Sequence, residues 1–451
     1  MKKLMMLEFN ELCPSLVKRF MDAGHLPNFK RLHDSSVIRT TDANANGEDL
    51  NPWVQWVDVH TGLDFKDHGL QHLNEAHKFD GKFTWDILSE KFGVKSWICG
   101  SMNGDYSDSF KGRFLPDPWA AEIRPNPPQQ MDDYYNFICQ GVQGHSGNSA
   151  EVSTGTFIRS LLKNGVSIST VMKLAHQMMK EKLLGKGSWE RAMILDWIQF
   201  DVFKHYYKKE SPQFSTFFSN SCAHYQHHYW RDFEPEVFGD DDYEPDTEKS
   251  QAILNAYKNT DAIAGKILDM IDDDTAVLFA TALSQQPYTE SERFYYHISG
   301  ETEFRQQFNI PSTVTYTPVM ATQFHLHCSS EAEAAEVEAQ LTAYEMDSDE
   351  YFHVGNKTLF LVFRKDNNML DVQCRVTKDA RPDATFVDTR DGSTHKLYDH
   401  FYQMNDTKTG MHNPYGLYWF RHPQKSPELV EETCPPSQVH HDVINFFGAA
   451  A

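Results

Sequence analysis

The sequence has little positive charge and no long hydrophobic run. Its 451 residues include 42 Lys and Arg against 64 Asp and Glu, which gives a formal net charge of −22. This balance argues against a sequence-independent nucleic-acid binder, whose affinity depends on cationic side chains at phosphates, and against docking on anionic lipid. From this charge balance we expect no nucleic-acid partner. No apolar stretch approaches the roughly 18 residues of a membrane span, so we also expect no membrane-spanning segment.

Paired cysteines are also lacking. The seven cysteines are scattered, odd in number and include no CxxC motif, so free buried thiols are expected. At the amino terminus two lysines precede a short apolar run, Leu4–Leu7, whereas the apolar region of a signal peptide needs about 7–15 residues. We therefore expect this run to form the first buried strand of a cytoplasmic protein.

Apolar and aromatic residues are plentiful, at 40% and 13% of the chain, which is enough for a large core. Leu4–Phe9 is typical of a short buried strand, and Pro14–Ala23 is typical of an amphipathic helix that ends at Gly24. Strand and helix patterns continue to alternate along the chain. This alternation predicts an α/β fold with a mostly parallel sheet and helices on both faces.

Three later segments have their own patterns. Phe157–Leu184 is expected to be largely helical, and Arg191–Phe200 is expected to form a strand. Thr275–Leu283 is an apolar run of strand length that follows an acidic turn.

A composition shift near residue 315 marks a second region. Ser330–Tyr344 predicts a helix with a serine N-cap and acidic residues in its first turn, and strand patterns lie on both sides of it. We therefore predict a small α+β subdomain at 315–390, inserted into a core domain formed by residues 1–314 and 391–451.

Candidate chemistry begins at the end of the first strand, at Glu8-Phe9-Asn10-Glu11. Open parallel sheets bind ligands beyond the carboxyl ends of their strands. Glu8 is therefore a candidate metal ligand and catalytic residue, and Asn10 a candidate substrate-binding residue. Glu11 is typical of an acid that complements the dipole of the following helix.

Polar side chains stand among aromatic ones in the segment 51–62, which indicates the wall of a pocket. Asn51 and Asp58 are candidate catalytic residues there, and Trp53 and Gln55 are candidate substrate-binding residues. Because Trp53 and Trp56 are three positions apart and share a helix face, plain core packing is the alternative for the tryptophans.

Three histidines lie within five residues at His224, His227 and His228. Pairs spaced three or four apart share one helix face, the spacing at which two imidazoles can bind one metal. A metal or phosphate site is therefore predicted here. A further histidine, His412, lies in a turn before an apolar strand and is a weak signal by itself.

In this order the segments resemble the type I phosphodiesterase/nucleotide pyrophosphatase branch of the alkaline phosphatase superfamily. The resemblance extends from residue 4 to residue 420 and does not cover the insert. It implies an alkaline phosphatase-like fold and the hydrolysis of phosphate esters by two metal ions, commonly zinc, which activate a Thr or Ser nucleophile. The matching segments are Leu7–Leu12, Gly24–Leu32, Trp56–Gly62, Asp67–Gly69, Gln226-His227 with Trp230, Val277–Ser284, and His412 with Gly416.

Several family positions are substituted in this chain. Pro52 stands at the nucleophile position, Ala223 at an aspartate ligand position, and Gln285-Gln286 at an Asp-His ligand pair. We assign both glutamines to substrate binding, because neutral amides bind dications weakly. The resemblance then implies one divalent metal, zinc or manganese. Its expected ligands are Glu8, His224, His227 and His412.

The leading hypothesis is therefore a hydrolase that cleaves a phosphomonoester or phosphodiester with metal-activated water. Its ligand would be a small phosphoester or sugar phosphate. The alternative is a catalytically degenerate superfamily member that binds a phosphorylated ligand, a sugar or a protein partner.

Overall fold

The computed structural model describes residues 2–120, 122–143, 154–184, 188–239, 243–289, 294–318, 323–353, 355–404 and 408–448. The chain divides into two compact units. The first contains Met1–Cys139, Glu151–Pro287 and Gly410–Ala451, and the second contains Tyr288–Thr409. All seven cysteines are free thiols, and five of them are buried as predicted, whereas Cys139 and Cys434 are half-buried. Within the described ranges, no helix combines the length and apolarity that crossing a membrane requires.

The strands are short, as is usual in a globular protein. In chain order they are β1 (Leu4–Phe9), β2 (Val37–Asp42), β3 (Ser96–Cys99), β4 (Gly112–Leu115), β5 (Phe214–Ser219), β6 (Ala276–Ala280), β7 (Ser284–Pro287), β8 (Tyr296–Ile298), β9 (Thr315–Pro318), β10 (Gln323–His327), β11 (Tyr344–Met346), β12 (Phe360–Asp366), β13 (Met369–Cys374), β14 (Thr385–Asp388), β15 (Thr394–Lys396), β16 (Phe401–Gln403), β17 (Gly410–Asn413), β18 (Tyr415–Arg421) and β19 (Glu428–Leu429).

The α-helices vary from a single turn to twenty residues. In chain order they are α1 (Pro14–Asp22), α2 (Pro27–His33), α3 (Pro52–Thr61), α4 (Phe65–His68), α5 (Thr84–Phe92), α6 (Asp132–Gln143), α7 (Thr154–Lys163), α8 (Ile168–Leu184), α9 (Arg191–Glu210), α10 (Ser221–Phe233), α11 (Ala252–Leu268), α12 (Glu301–Gln307), α13 (Glu331–Thr342) and α14 (Gln438–Gly448).

The first unit is built on an eight-stranded sheet in the order β19-β2-β18-β6-β1-β5-β3-β4. The five strands from β6 to β4 run parallel to one another, and β18 is antiparallel to both of its neighbours. The predicted α/β class with a mostly parallel sheet is therefore confirmed.

Helices cover both faces of this sheet. Side chains alternate along β1, so Met5, Leu7 and Phe9 enter one core together with residues of α1, α2, α9 and α11. Glu8 belongs to the other face, where it contacts His60 of α3. On that same face Phe214 of β5 contacts Phe447 of α14. The predicted helices on both faces are thus present.

The second unit has an antiparallel four-stranded sheet in the order β12-β13-β10-β9, with smaller sheets and the helices α12 and α13. Ser330 caps α13 by accepting a hydrogen bond from the backbone N–H of Glu333, as its sequence predicts. The unit extends beyond the bounds of 315–390 that composition suggests. Its β8 pairs with β16, and Tyr296 and Phe401 lie in the same hydrophobic core as Phe360.

One segment prediction was wrong, and another is confirmed with an interruption. Arg191–Phe200 is not a strand but the first half of α9, which continues to Glu210. Its apolar residues are interrupted by Arg191, Asp196 and Gln199, and apolar positions in so short a segment do not by themselves distinguish a strand from a helix. Phe157–Leu184 is helical, but it divides into α7 and α8 around Gly165, whose φ is +85°.

Candidate metal centre

The centre begins in the turn that follows β1. Glu11 is buried and its φ is +58°, in the left-handed region that residues with a Cβ rarely adopt. Its backbone N–H donates to the carbonyl of Thr281 at 3.3 Å, and its carbonyl accepts from Nε2 of Gln226 at 2.8 Å. The contacts on both sides hold the strained turn, so the Glu11 carboxylate has a fixed position beyond the carboxyl end of β1.

Two histidines from different elements converge on this carboxylate. Nε2 of His227, on α10, lies 3.3 Å from Oε2 of Glu11. Nε2 of His412, on β17, lies 3.5 Å from the same oxygen. Because α10 follows β5, the neighbour of β1 in the sheet, the topology brings His227 to Glu11.

Each imidazole is oriented through its other nitrogen. Nδ1 of His227 lies 2.8 Å from the carbonyl oxygen of Gly410, and Nδ1 of His412 lies 2.8 Å from that of Leu50. A carbonyl oxygen only accepts, so both Nδ1 atoms carry the hydrogen and donate it. In the neutral rings the lone pair is then on Nε2, which faces Glu11.

The charge of the centre follows from these contacts. Burial opposes ionisation of Glu11, but the positive charges that His412 and His227 carry when protonated, together with hydrogen bonds from His227 and Gln285, lower its pKa to about 2. Glu11 is therefore a carboxylate at neutral pH. One anionic oxygen and two imidazole nitrogens that face one another form an arrangement that a cation stabilises.

The donor set fits a divalent metal. One ligand atom from each of Glu11, His227 and His412 lies within 4.8 Å of the other two. Among the described residues, this is the one group of three or more His, Cys, Asp or Glu side chains with ligand atoms that close together. Two imidazoles and one carboxylate are a ligand set of catalytic zinc sites. The Nδ1 hydrogen bonds to carbonyls are the outer-shell contacts that orient such ligands.

Two predicted metal ligands lie elsewhere. Glu8 is inside β1, and its Oε1 lies 3.0 Å from Nε2 of His60, with both side chains buried. The pleat turns it toward α3, whereas Glu11 comes after the strand and reaches the histidines. His224 packs its ring against that of His228, with centroids 4.8 Å apart, and is not part of the three-residue group.

Two predicted substrate-binding residues instead position the carboxylate. Nδ2 of Asn10 donates to Oε1 of Glu11 at 2.8 Å. Nε2 of Gln285 donates to Oε2 of Glu11 at 2.5 Å and to the carbonyl of Ala223 at 3.0 Å. The strand pairing of β7 with β17 sets Gln285 opposite His412. Both amides therefore contact the candidate metal ligand Glu11.

The other predicted residues make their own contacts outside the group. Gln55 accepts from the backbone N–H of Asn51 at 2.9 Å, which fixes the start of α3. Burial raises the pKa of Asp58, and a hydrogen bond from His68 at 2.9 Å opposes this. Indole Nε1 of Trp53 donates to the carbonyl of Gln71. Gln286 accepts from Nδ2 of Asn413 at 2.7 Å.

Two residues of the centre were not assigned from the sequence. Glu11 was interpreted as a dipole-complementing acid, because a left-handed turn has no sequence signal when the residue is not glycine. Gln226 stands within the matched histidine motif but was given no role. Its Nε2 holds the Glu11 carbonyl, and its Oε1 accepts from the hydroxyl of Tyr257 at 2.6 Å.

Comparisons with known proteins give likenesses in structure. No family model and no curated relative matches the chain. Phosphonoacetate hydrolase from Sinorhizobium meliloti, solved with phosphonoformate, has 8% identity and a TM-score of 0.45 over 99% of this chain and 96% of that one. Murine ectonucleotide pyrophosphatase/phosphodiesterase 5 has 10% identity and a TM-score of 0.44 over 100% and 96%.

Proposed function

We propose that this protein is a hydrolase that cleaves a phosphate ester with one divalent metal ion, zinc or manganese, held by Glu11, His227 and His412. The observation that carries the proposal is the convergence of two oriented imidazoles on one buried carboxylate oxygen. The order of the sequence motifs supports a phosphate ester as the substrate. A divalent metal in such a site supplies a Lewis acid that polarises a phosphoryl oxygen and generates a nucleophile from water at neutral pH.

The neighbouring residues support one metal rather than two. Asn10 and Gln285 stand beside Glu11, and both are neutral amides that donate hydrogen bonds to it. Amides bind dications weakly. Among the residues that the structure describes, Glu11 presents a carboxylate oxygen to both histidines, and these two hydrogen bonds fix both of its oxygens.

The start of α3 supports water as the nucleophile. Pro52, at the family's nucleophile position, is the first residue of this helix, and its neighbour Asn51 is the N-cap. Neither side chain has a hydroxyl that could act as the nucleophile. Thr61 has a hydroxyl but lies at the other end of this helix, where it donates to the carbonyl of Val57 at 2.7 Å. In the proposed reaction a water oxygen bonds to phosphorus and the bond between phosphorus and the ester oxygen breaks. One proton of the water passes to the ester oxygen, which leaves as an alcohol, and the other stays on the phosphate product.

Metal content and turnover test the proposal together. The protein is purified without chelator, as the parent, as His227→Ala/His412→Ala, and as the matched control His224→Ala, which changes a histidine of the same helix outside the group. We expect about one zinc or manganese per chain in the parent and in the control, and almost none in the double variant. Hydrolysis of bis(p-nitrophenyl) phosphate or p-nitrophenyl phosphate should fall about a hundredfold or more in the double variant.

Two results would count against this function. Absence of bound metal in the parent after incubation with zinc and with manganese would remove the metal centre. Equal turnover by the parent and the double variant would show that the hydrolysis occurs elsewhere or comes from a contaminant. A metal-loaded parent that hydrolyses neither substrate would favour the alternative of a non-catalytic binding protein.

A further inference from the structure

Exposed hydrophobic side chains are concentrated on α7 and α8. Fourteen large hydrophobic side chains are exposed among the described residues, and eight of them lie between residues 158 and 184. Scattered single exposed hydrophobic residues are normal, whereas a contiguous group marks an interaction surface. The eight are Ile158, Leu162, Ile168, Met172, Met178, Met179, Leu183 and Leu184.

Four of these residues form a stripe along α8. Ile168, Met172, Met179 and Leu183 follow one another at intervals of four, seven and four positions, which places them on one face of the helix. Their exposed fractions are 61–75%. The two buried side chains of α8, those of Thr170 and Gln177, lie on the opposite face, so the stripe points away from the protein.

Basic residues accompany the stripe. Residues 154–184 contain five Lys or Arg and a single acidic residue, Glu181, which pairs with Arg191. Lys173 and Lys182 of α8 and Arg159 and Lys163 of α7 are exposed. The chain as a whole carries a net charge of −22, so the sign of the charge is reversed locally.

We propose that α7 and α8 form a surface that binds an anionic lipid bilayer, with the stripe buried at the boundary between head groups and acyl chains. An apolar face bordered by lysines is the arrangement of helices that lie in a membrane interface. The net charge of the whole chain argues against such docking. Attraction to an anionic membrane, however, depends on the protein charges that lie within about one Debye length of the membrane surface. A second copy of the chain is a poorer occupant, because a symmetric contact would bring two basic faces together.

Vesicle sedimentation tests this proposal with three variants of the full chain. One variant removes the stripe through Ile168→Gln, Met172→Gln, Met179→Gln and Leu183→Gln. A second removes charge through Lys163→Gln and Lys182→Gln. The matched control, Val237→Gln/Leu429→Gln, changes two exposed hydrophobic residues on other elements.

We expect the parent and the control to sediment with phosphatidylcholine vesicles that contain about a quarter phosphatidylglycerol, and to bind pure phosphatidylcholine roughly tenfold more weakly. The stripe variant and the lysine variant should each bind the anionic vesicles roughly tenfold more weakly than the parent. Added salt should release the parent, because the head-group attraction is screened.

Other outcomes would overturn the proposal. Failure of the parent to sediment with either vesicle, or equal binding by the parent and the stripe variant, would exclude a lipid surface at α7 and α8. Light scattering that shows a dimer in the parent and a monomer in the stripe variant would assign the face to a second copy. Thermal unfolding and metal content, measured on all variants, keep these outcomes separate from misfolding and from failure of the proposed hydrolase site.

Discussion

At the scale of single residues, Glu11 combines a strained backbone with the carboxylate of the candidate metal centre. Its φ of +58° lies in a region where a Cβ is unfavourable, and its carboxylate lies beside both histidines. Strained residues persist where the surroundings over-determine them and where function requires them. Glu11 therefore exchanges some stability for a carboxylate in the centre.

Two substitutions at this residue separate strain from ligation. Glu11→Ala and Glu11→Gly both remove the carboxylate, so both should lose the metal. Glycine accepts the positive φ without strain. In chelator-treated protein, the free energy of unfolding of Glu11→Gly should therefore be about 1 kcal/mol higher than that of Glu11→Ala. Urea denaturation of the two variants measures the difference. If the alanine variant were as stable as the glycine variant, the turn would not be strained.

Single residues also show where the sequence was sufficient and where it was not. His227 and His412 were predicted as ligands and lie in the same group. The sequence motifs that indicated them do not depend on the backbone conformation at Glu11. The choice of Glu8 over Glu11 depended on where β1 ends and on which face each acid occupies. The partner of Glu8 is His60 on α3, a contact across the fold that no local pattern indicates.

At the scale of elements, the side chain of Gln226 links α10 by hydrogen bonds to the turn after β1 and to α11. Its Nε2 donates to the Glu11 carbonyl and its Oε1 accepts from Tyr257 of α11. The backbone N–H of Cys13 also donates to Oε1 of Gln226, at 3.3 Å, and to the Tyr257 hydroxyl, at 2.8 Å. Because His227 is the next residue along α10, the amide that fixes the helix also fixes the ligand.

A double-mutant cycle tests the hydrogen bond between Gln226 and Tyr257. Gln226→Ala leaves the buried Glu11 carbonyl and the Tyr257 hydroxyl without this partner and should lower the free energy of unfolding by about 3 kcal/mol. Tyr257→Phe should lower it by about 1 kcal/mol. The double variant should lose less than the sum, since either change already breaks the shared hydrogen bond. Additive losses in urea denaturation would contradict the shared contact.

Elements with a local signal were predictable. β1 and the cap of α13 follow from an apolar run and from a serine before an acidic turn. The helix α9 was mistaken for a strand, because apolar and polar residues are not separated onto two faces along Arg191–Glu210, so no clear helical period marks it. Burial in the core, rather than local preference, decides such a segment.

At the scale of the whole molecule, the second unit has a core of its own. Its buried residues extend from Tyr296 to Phe401 and form one cluster. A compact unit with a separate core can in principle fold alone. We therefore propose that residues 288–409 form a domain, with bounds wider than 315–390 because β8 and β16 pair at its two ends.

Expression of residues 288–409 alone tests this domain. The fragment should show near-ultraviolet circular dichroism and a single cooperative urea transition, because the aromatic side chains of its core pack against one another. Residues 315–390 alone serve as the comparison. They lack β8 and β16 and should unfold at lower urea concentration. A fragment 288–409 without a cooperative transition would contradict the proposal.

The order in which the ligands occur along the chain has a consequence during synthesis. Glu11 and His227 emerge from the ribosome early, whereas β17, which carries His412, follows the whole of the second unit. A nascent chain that holds only the first two ligands presents an incomplete coordination shell, and the third arrives only after Tyr288–Thr409 has been translated. If Glu11, His227 and His412 hold a metal as proposed, tight retention requires a chain made at least as far as β17, and shorter products would lack the third ligand.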